Sequence, residues 1–166
     1  MHLLLTLLVS WATVLGAIAD DPAEDQFGEE VEWSAFTHKP FVLVIADKEA
    51  SENAKEIGIA LHKSYNGSYI APEAHLRSSP SNEKVKIIPV AALPDVPGIF
   101  KFLFRNGFKD ESPIGIILDW DSKLSKSVGY EEGQVIVAIK TPKNPEVVRW
   151  KVKNKEEALR VVRESL

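Results

Sequence analysis

The sequence predicts an α/β protein, a three-layer α/β/α sandwich with a mixed central sheet. Three observations predict it. Phe41–Ala46 (FVLVIA) is a continuous apolar run of the kind found in strands buried on both faces. From there strand-like and helix-like segments alternate as β-α-β-α-β, the order that builds parallel strands with helices on the faces. The chain then ends as β-β-α, and a hairpin at that point makes the sheet mixed.

Each element has its own signal. After Phe41–Ala46, a helix is expected over Glu49–Tyr65, because Ala54, Ile57, Leu61 and Tyr65 fall on one face. Asn66-Gly67 stops it. Ser68–Asn82 reads as a polar loop. Val85–Ala91 is a strand in which Pro89, lacking an N–H, marks an edge or a bulge. Pro97–Phe108 reads as the second helix, with Pro97 in its first turn and Gly107 at its end. Ile114–Leu118 is a third strand, and Asp119–Ser122 a turn. Gln134–Lys140 and Glu146–Val152 pair as a hairpin through Lys143-Asn144-Pro145. Asn154 with Glu157 three residues on has the form of a capping box. The helix it starts has Ala158, Leu159, Val162 and Leu166 as its apolar face.

Composition excludes several functions outright. The 166 residues suit one domain. A formal charge of -4 offers no basic surplus for nucleic acid or an anionic membrane. The chain contains no cysteine, which removes disulfides, thiolate nucleophiles, iron–sulfur clusters and thiolate zinc sites. Met1 is its single methionine, so a thioether copper site is also out. Leu3–Leu15 is apolar but short for a membrane span, and Ala17-Ile18-Ala19 has the A-x-A form of a signal-peptidase site. Residues 1–19 therefore read as a cleaved signal peptide, although His2 stands where Lys or Arg is usual. Residues 20–26 read as an acidic leader and 27–166 as a single domain, with no membrane span after signal cleavage.

Three stretches resemble the thioredoxin-like superfamily in its peroxiredoxin and TlpA-type branch. Ser34–Val44, with Lys39-Pro40 before its apolar run, is similar to the family's approach to the first core strand, with His38 where a glycine is usual. Ile117–Tyr130 (ILDWDSKLSKSVGY) resembles the family's V-L-D-x-D-G-K-L-A-x-x-Y-G, and Gln134 onward resembles its closing strands. Within the superfamily the chain looks most like the YtfJ-type periplasmic proteins, at Ile45–Ser51. The resemblance implies a thioredoxin-like three-layer sandwich. It also places the two redox cysteines on Ser51 and Ala54, so Ser51-Glu52-Asn53-Ala54 stands in the place of Cys-x-x-Cys. Exchange needs an attacking and a resolving thiol. Peroxidase, oxidoreductase and disulfide isomerase chemistry are thereby excluded. The loop that holds a cis-proline in such proteins is here Tyr130–Gln134 and has none. The resemblance further implies a partner-binding groove between the two segments, formed by Asp47, Ser51, Glu52, Gly133 and Gln134.

Other candidate sites are weaker. Ser51 with His62 or His75 as base has no G-x-S-x-G around it, and a serine there suits a helix start. Asp119-x-Asp121 lacks the further ligands of a calcium loop. His38, His62 and His75 match no compact metal motif. Asp47, Glu49 and Glu52 crowd the start of the first helix, so no phosphate is expected there. Trp150, alternating with Val148 and Val152, is expected to pack in the core or be half-buried, and Trp120 to be the most exposed of Trp33, Trp120 and Trp150. Phe100, Phe102 and Phe104 share no helical face, so Pro97–Phe104 is either buried nearly all round or a partner contact. Asn66-Gly67-Ser68 has the form of a glycosylation sequon.

The expectation is an exported, redox-inactive, non-enzymatic thioredoxin-like module that binds a protein or peptide, without cofactor or metal. A small-molecule or metal carrier, or an enzyme of non-thiol chemistry, are the alternatives. An apolar groove beside Asp47–Ala54 favours the first, and converging histidines and carboxylates favour the others. Export with cleavage after Ala19 should give secreted material whose intact mass begins at Asp20, and retention of Met1–Ala19 would defeat that reading.

Overall fold

The computed structural model describes residues 23–33, 38–67, 76, 83–112 and 114–166. The signal-peptide reading of 1–19, the loop 68–82 except Leu76, and His75 lie outside the described residues.

A six-stranded mixed sheet runs through the molecule in the order β1-β4-β3-β2-β5-β6. These strands are β1 (Glu24–Asp25), β2 (Phe41–Ala46), β3 (Lys86–Leu93), β4 (Ile117–Trp120), β5 (Val135–Thr141) and β6 (Asn144–Val152). The helices are α1 (Ser51–Asn66), α2 (Lys101–Glu111), α3 (Lys123–Ser127) and α4 (Lys155–Ser165), with a 3-10 turn at Gly98–Phe100 leading into α2. β2, β3 and β4 are mutually parallel, while β5 is antiparallel to β2, and β6 is antiparallel to β5 and so runs in the direction of β2. The thioredoxin-like α/β/α architecture read from the sequence is the one observed.

β2 is central, and all six of its residues are buried. Its alternate side chains feed two cores, as the two-residue period of a strand requires. Leu43 and Ile45 join Ile88, Val90, Trp33, Leu124 and Val128 on one face. Val42 and Val44 join Ile57 and Leu61 of α1 and Ala158, Val161 and Val162 of α4 on the other. α2 lies on this second face over β3 and β4, where Phe108 packs on Ala91, Leu93 and Leu118.

Several local expectations give way to tertiary context. The described part of the expected leader is built into the domain: Glu24–Asp25 pairs with β4, and Asp25 and Gln26 are buried. Asp25 earns its burial by closing a turn, accepting from the backbone N–H groups of Phe27 and Glu29 at 2.8 and 3.0 Å. Pro89 is in an interior strand, not at the sheet's edge; β4 joins β3 from Val90 onward, so Pro89 lies just before that pairing begins. Asp119 and Trp120 extend β4, and the turn narrows to Asp121-Ser122, both with positive φ. α3 follows, a five-residue helix too short to show apolar periodicity. The hairpin turns at Pro142-Lys143, and Asn144 already belongs to β6. Gly107 sits inside α2 and not at its end. Trp150 is 40% exposed, because β6 is an edge strand and the helix layer covers Val152 but not Trp150. Leu166 is likewise exposed, and Val161 takes its place in the face of α4. Asn154 does cap α4, accepting from the N–H of Glu157, while the Glu157 carboxylate accepts from the N–H of Lys153.

Candidate functional site

β2 ends at Ala46, and the chain turns through Asp47–Ala50 into α1. Ser51, the first residue of α1, is exposed, and Ala54 one turn later is half-buried. The Ser51 hydroxyl donates to the carbonyl of Lys48 at 2.8 Å, which ties the turn.

Asp47 organises this end of the sheet. Its Oδ2 accepts from the Tyr130 hydroxyl at 2.5 Å and the Gly133 N–H at 2.7 Å, and its Oδ1 from the Ala50 N–H at 3.1 Å. Burial by itself would raise the carboxyl pKa; the hydrogen bonds from Tyr130, Gly133, Ala50 and Glu49 outweigh it and hold the group below its usual range. Burial and the Asp47 charge push the Tyr130 phenol well up, so it stays a donor. Gly133 has φ +73, and a methyl group there would come 3.4 Å from Glu49 Oε2. The left-handed backbone favours glycine.

The residues singled out from sequence are thus divided. Asp47 and Gly133 meet, and their hydrogen bond spans the space between the α1 turn and the Tyr130–Gln134 loop. Gln134 is half-buried and bonds Glu131, whose carboxylate the exposed Lys151 holds at 2.5 Å. Ser51, Glu52 and Ala54, and with them Asp47, line a cavity on the α2 side of the turn.

That cavity, about 500 Å³, lies between α1 and α2. Pro89, Ala91 and Leu93 of β3 form its floor. Gly58 and Ile59 line it from α1, and Leu103, Phe104, Gly107 and Phe108 from α2. Lys48, Ser51, Glu52 and Lys55 bring the charged and polar groups at the α1 start. The cavity exists because α2 is tied down along its far side. Arg105 donates to both carboxylate oxygens of Glu24 in β1, at 2.6 and 2.8 Å. Glu24 also accepts from the Trp120 indole N–H, and Lys101 stands 4.9 Å over the Trp120 ring. Trp120 is therefore half-buried under two cations rather than free in a turn. None of the described side chains of α2 is buried. Ile99 (81%), Phe102 (63%) and Leu103 (61%) are largely exposed, with Phe100 and Phe104 beside them. The sequence signal for this half of the site was the apolar Pro97–Phe104 run, whose partner face could not be located without the sheet.

The remaining candidates have structural work. His62 is fully buried on α1; burial, then the charge of Lys86, hold its pKa below the usual value. Lys86 pairs with Glu83 at 3.3 Å, both buried. Asp119 accepts from the N–H groups of Leu124 and Ser125 and from the Ser125 hydroxyl, fixing α3. Asn66 uses its whole amide: it donates to the Val85 carbonyl and accepts from the N–H groups of Lys84 and Val85. His38 is exposed.

No protein-family model and no curated protein matches the sequence. Solved structures do match the fold. Peroxiredoxin Q of Xanthomonas campestris superposes with TM-score 0.58 at 17% identity, over 90% of this chain and 92% of that one. DsbF of MTB superposes with TM-score 0.52 at 19% identity, over 88% and 96%. The exposed lipoprotein thioredoxin of Streptococcus pneumoniae strain TIGR4 gives 0.55 at 16%, over 89% and 100%. The likeness shows a thioredoxin-like fold, here in a chain without cysteine.

Two measurements follow from this geometry. Asp47→Ala should lower the unfolding free energy by roughly 2–3 kcal/mol, since it strands buried donors of a charged acceptor. The folded pKa of Asp47 is lowered, so its contribution is complete above the unfolded value of about 3.9 and fades as pH falls through the folded value. Urea unfolding as a function of pH should therefore show a shallower acid loss in the variant; equal slopes would remove Asp47 from this role. Separately, Ser51→Cys with Ala54→Cys should close a disulfide within one chain on mild oxidation, seen as a loss of two protons in the intact mass. Residues three apart on a helical turn satisfy the Cα separation of under about 7 Å that a disulfide needs. Thiols that stay free or bridge only between molecules would break the correspondence of Ser51 and Ala54 with a redox pair.

Proposed function

We propose that this protein is an exported, redox-inactive thioredoxin-like module that binds a partner protein or peptide through the outer face of α2 and the 3-10 turn before it. The observation that carries the reading is the run of exposed large apolar side chains Ile99, Phe100, Phe102, Leu103 and Phe104 on one short stretch. Aromatic rings of this size each present on the order of 100 Å² at such exposures, and contiguous apolar surface of several hundred Å² marks interaction sites on soluble proteins. Lys101, Arg105 and Lys109 flank the patch at i, i+4 and i+8, giving it the polar rim of a binding surface.

Redox inactivity rests on the missing cysteines, and the hydroxyl of Ser51, donating to Lys48, is not prepared as a substitute nucleophile. Export rests on Met1–Ala19, and is in keeping with the resemblance to YtfJ-type periplasmic proteins and with a solved relative in fold described as an exposed lipoprotein thioredoxin. A second reading, a small-molecule carrier, is favoured by the cavity beneath α2.

The patch is tested with a photo-crosslinking amino acid at Phe102, and at Arg160 on the exposed side of α4 as the control. In the producing cell, irradiation should give a discrete heavier adduct from position 102 and none from 160. Adding Leu103→Asp should remove it without moving the melting temperature by more than a few degrees. No adduct, or the same adducts from both positions, would end the proposal. The purified protein should neither consume peroxide with a thiol donor nor reduce insulin.

A further inference from the structure

We propose that the cavity between α1 and α2 is a binding site for an aliphatic carboxylate, with the hydrocarbon chain over Pro89, Ala91 and Leu93 and the head group at the mouth formed by Lys48 and Lys55. The site goes beyond the partner surface but borders it: Leu103 and Phe104 belong to both, while Ile99, Phe100 and Phe102 are not among the cavity's lining.

The volume and chemistry are those of a small-molecule site. About 500 Å³ falls within the range of ligand pockets, which are mainly apolar with a few polar groups that orient the ligand. The space is also held open by missing side chains. Gly58 lies in the middle of a sixteen-residue helix, where glycine is unfavourable relative to alanine. Nothing local demands it: a Cβ at Gly58 would meet Pro89 Cγ at 3.9 Å, an ordinary contact. At Gly107, facing it from α2, a Cβ would meet nothing within 4 Å. Neither glycine has a positive φ. A side chain at either position would enter the cavity.

The charges at the mouth select the head group. The acidic cluster at the start of α1, which read as one negative patch in the sequence, is split by the fold. Asp47 is committed to Tyr130, Gly133 and Ala50, and Glu49 sits against Gly133 on the same side. Lys48 and Lys55 line the cavity with two carboxylates, Asp47 and Glu52, of which Asp47 already accepts hydrogen bonds through both oxygens. The structure shows no ion pair for either lysine among the described residues. Two ammonium groups without an arginine fork, beside the Glu52 carboxylate and an Asp47 carboxylate already held by its own donors, suit a singly charged head better than a phosphate.

Isothermal titration with defined amphiphiles below their aggregation concentrations tests the site. Dodecanoate should bind saturably, and decanoate about fifteenfold more weakly, at roughly fourfold per methylene. Dodecyltrimethylammonium, with the same chain and a cationic head, should bind at least tenfold more weakly than dodecanoate. Lys48→Glu with Lys55→Glu should reverse that order. Gly58→Leu should reduce dodecanoate affinity at least tenfold while Gly58→Ala keeps it. If Gly58→Leu fails to fold, Gly107→Leu on the exposed helix α2 decides in its place. Absence of saturable binding, equal affinity for the cationic amphiphile, or unchanged binding in a folded leucine variant would overturn the proposal. Ile99→Asp separates the two sites: it should weaken the partner crosslink from position 102 and leave dodecanoate binding intact. Loss of dodecanoate binding in Ile99→Asp would move the ligand to the outer patch and defeat the cavity assignment.

Discussion

The carboxylate of Asp47 is the constraint on which the working end of the molecule depends. It stands at the point where the central strand β2 gives way to α1, and it gathers donors from three places: its own turn, the Tyr130 side chain and the Gly133 backbone. Each bond to a buried charged acceptor is worth more than a neutral one, and losing a partner leaves a buried donor unmet. The start of α1 and the loop before β5 are therefore held in one relative position without a thiol pair or a proline between them. Gly133 meets Asp47 with a left-handed backbone, φ +73, that favours glycine.

With that side closed, the opposite side of the α1 turn is where the fold leaves room. α1 and α4 pack tightly on their half of the sheet and contribute Ile57, Leu61, Val161 and Val162 to its core. α2 is attached differently. Phe108 reaches the sheet, and Arg105 and Trp120 anchor the far edge through Glu24, so the helix is held by its rim and not by its full face. The cost is exposed apolar surface on both sides of α2: outward at Ile99 and Phe102, inward at the cavity. Exposed apolar area of this extent works against solubility unless something covers it. The two surfaces differ in shape, one convex and one concave, and so suit different occupants.

Much of the fold was legible because its signals were local. FVLVIA marks β2 by composition, the 54/57/61/65 spacing marks α1, and Asn154 with Glu157 marks the start of α4. The errors cluster where neighbours decide. α3 is created by the Asp119 carboxylate capping five residues, a length at which periodicity carries no information. Pro89 is tolerated in an interior strand because β4 pairs with β3 only from Val90 onward. Trp150 is exposed because the helix layer stops short of it, which no alternation within β6 can reveal.

The site shows the same division. The absence of cysteine, and with it the loss of thiol chemistry, is a property of composition and was determined by the sequence alone, as was the order of elements that makes a thioredoxin-like sandwich. Which way the charges at Asp47, Lys48, Glu49, Glu52 and Lys55 point is not a property of their spacing. It follows from Tyr130 and Gly133, more than eighty residues away, drawing Asp47 to their side. In the same way, the apolar run at 97–104 could be read in the chain, but whether it would be buried depended on how far α2 is held from β3. α2 is tied there by Phe108 on the sheet and by an ion pair between residues 24 and 105. Local sequence fixes backbone preference within a few residues; the burial and pairing of charges depend on contacts that only the closed fold brings together.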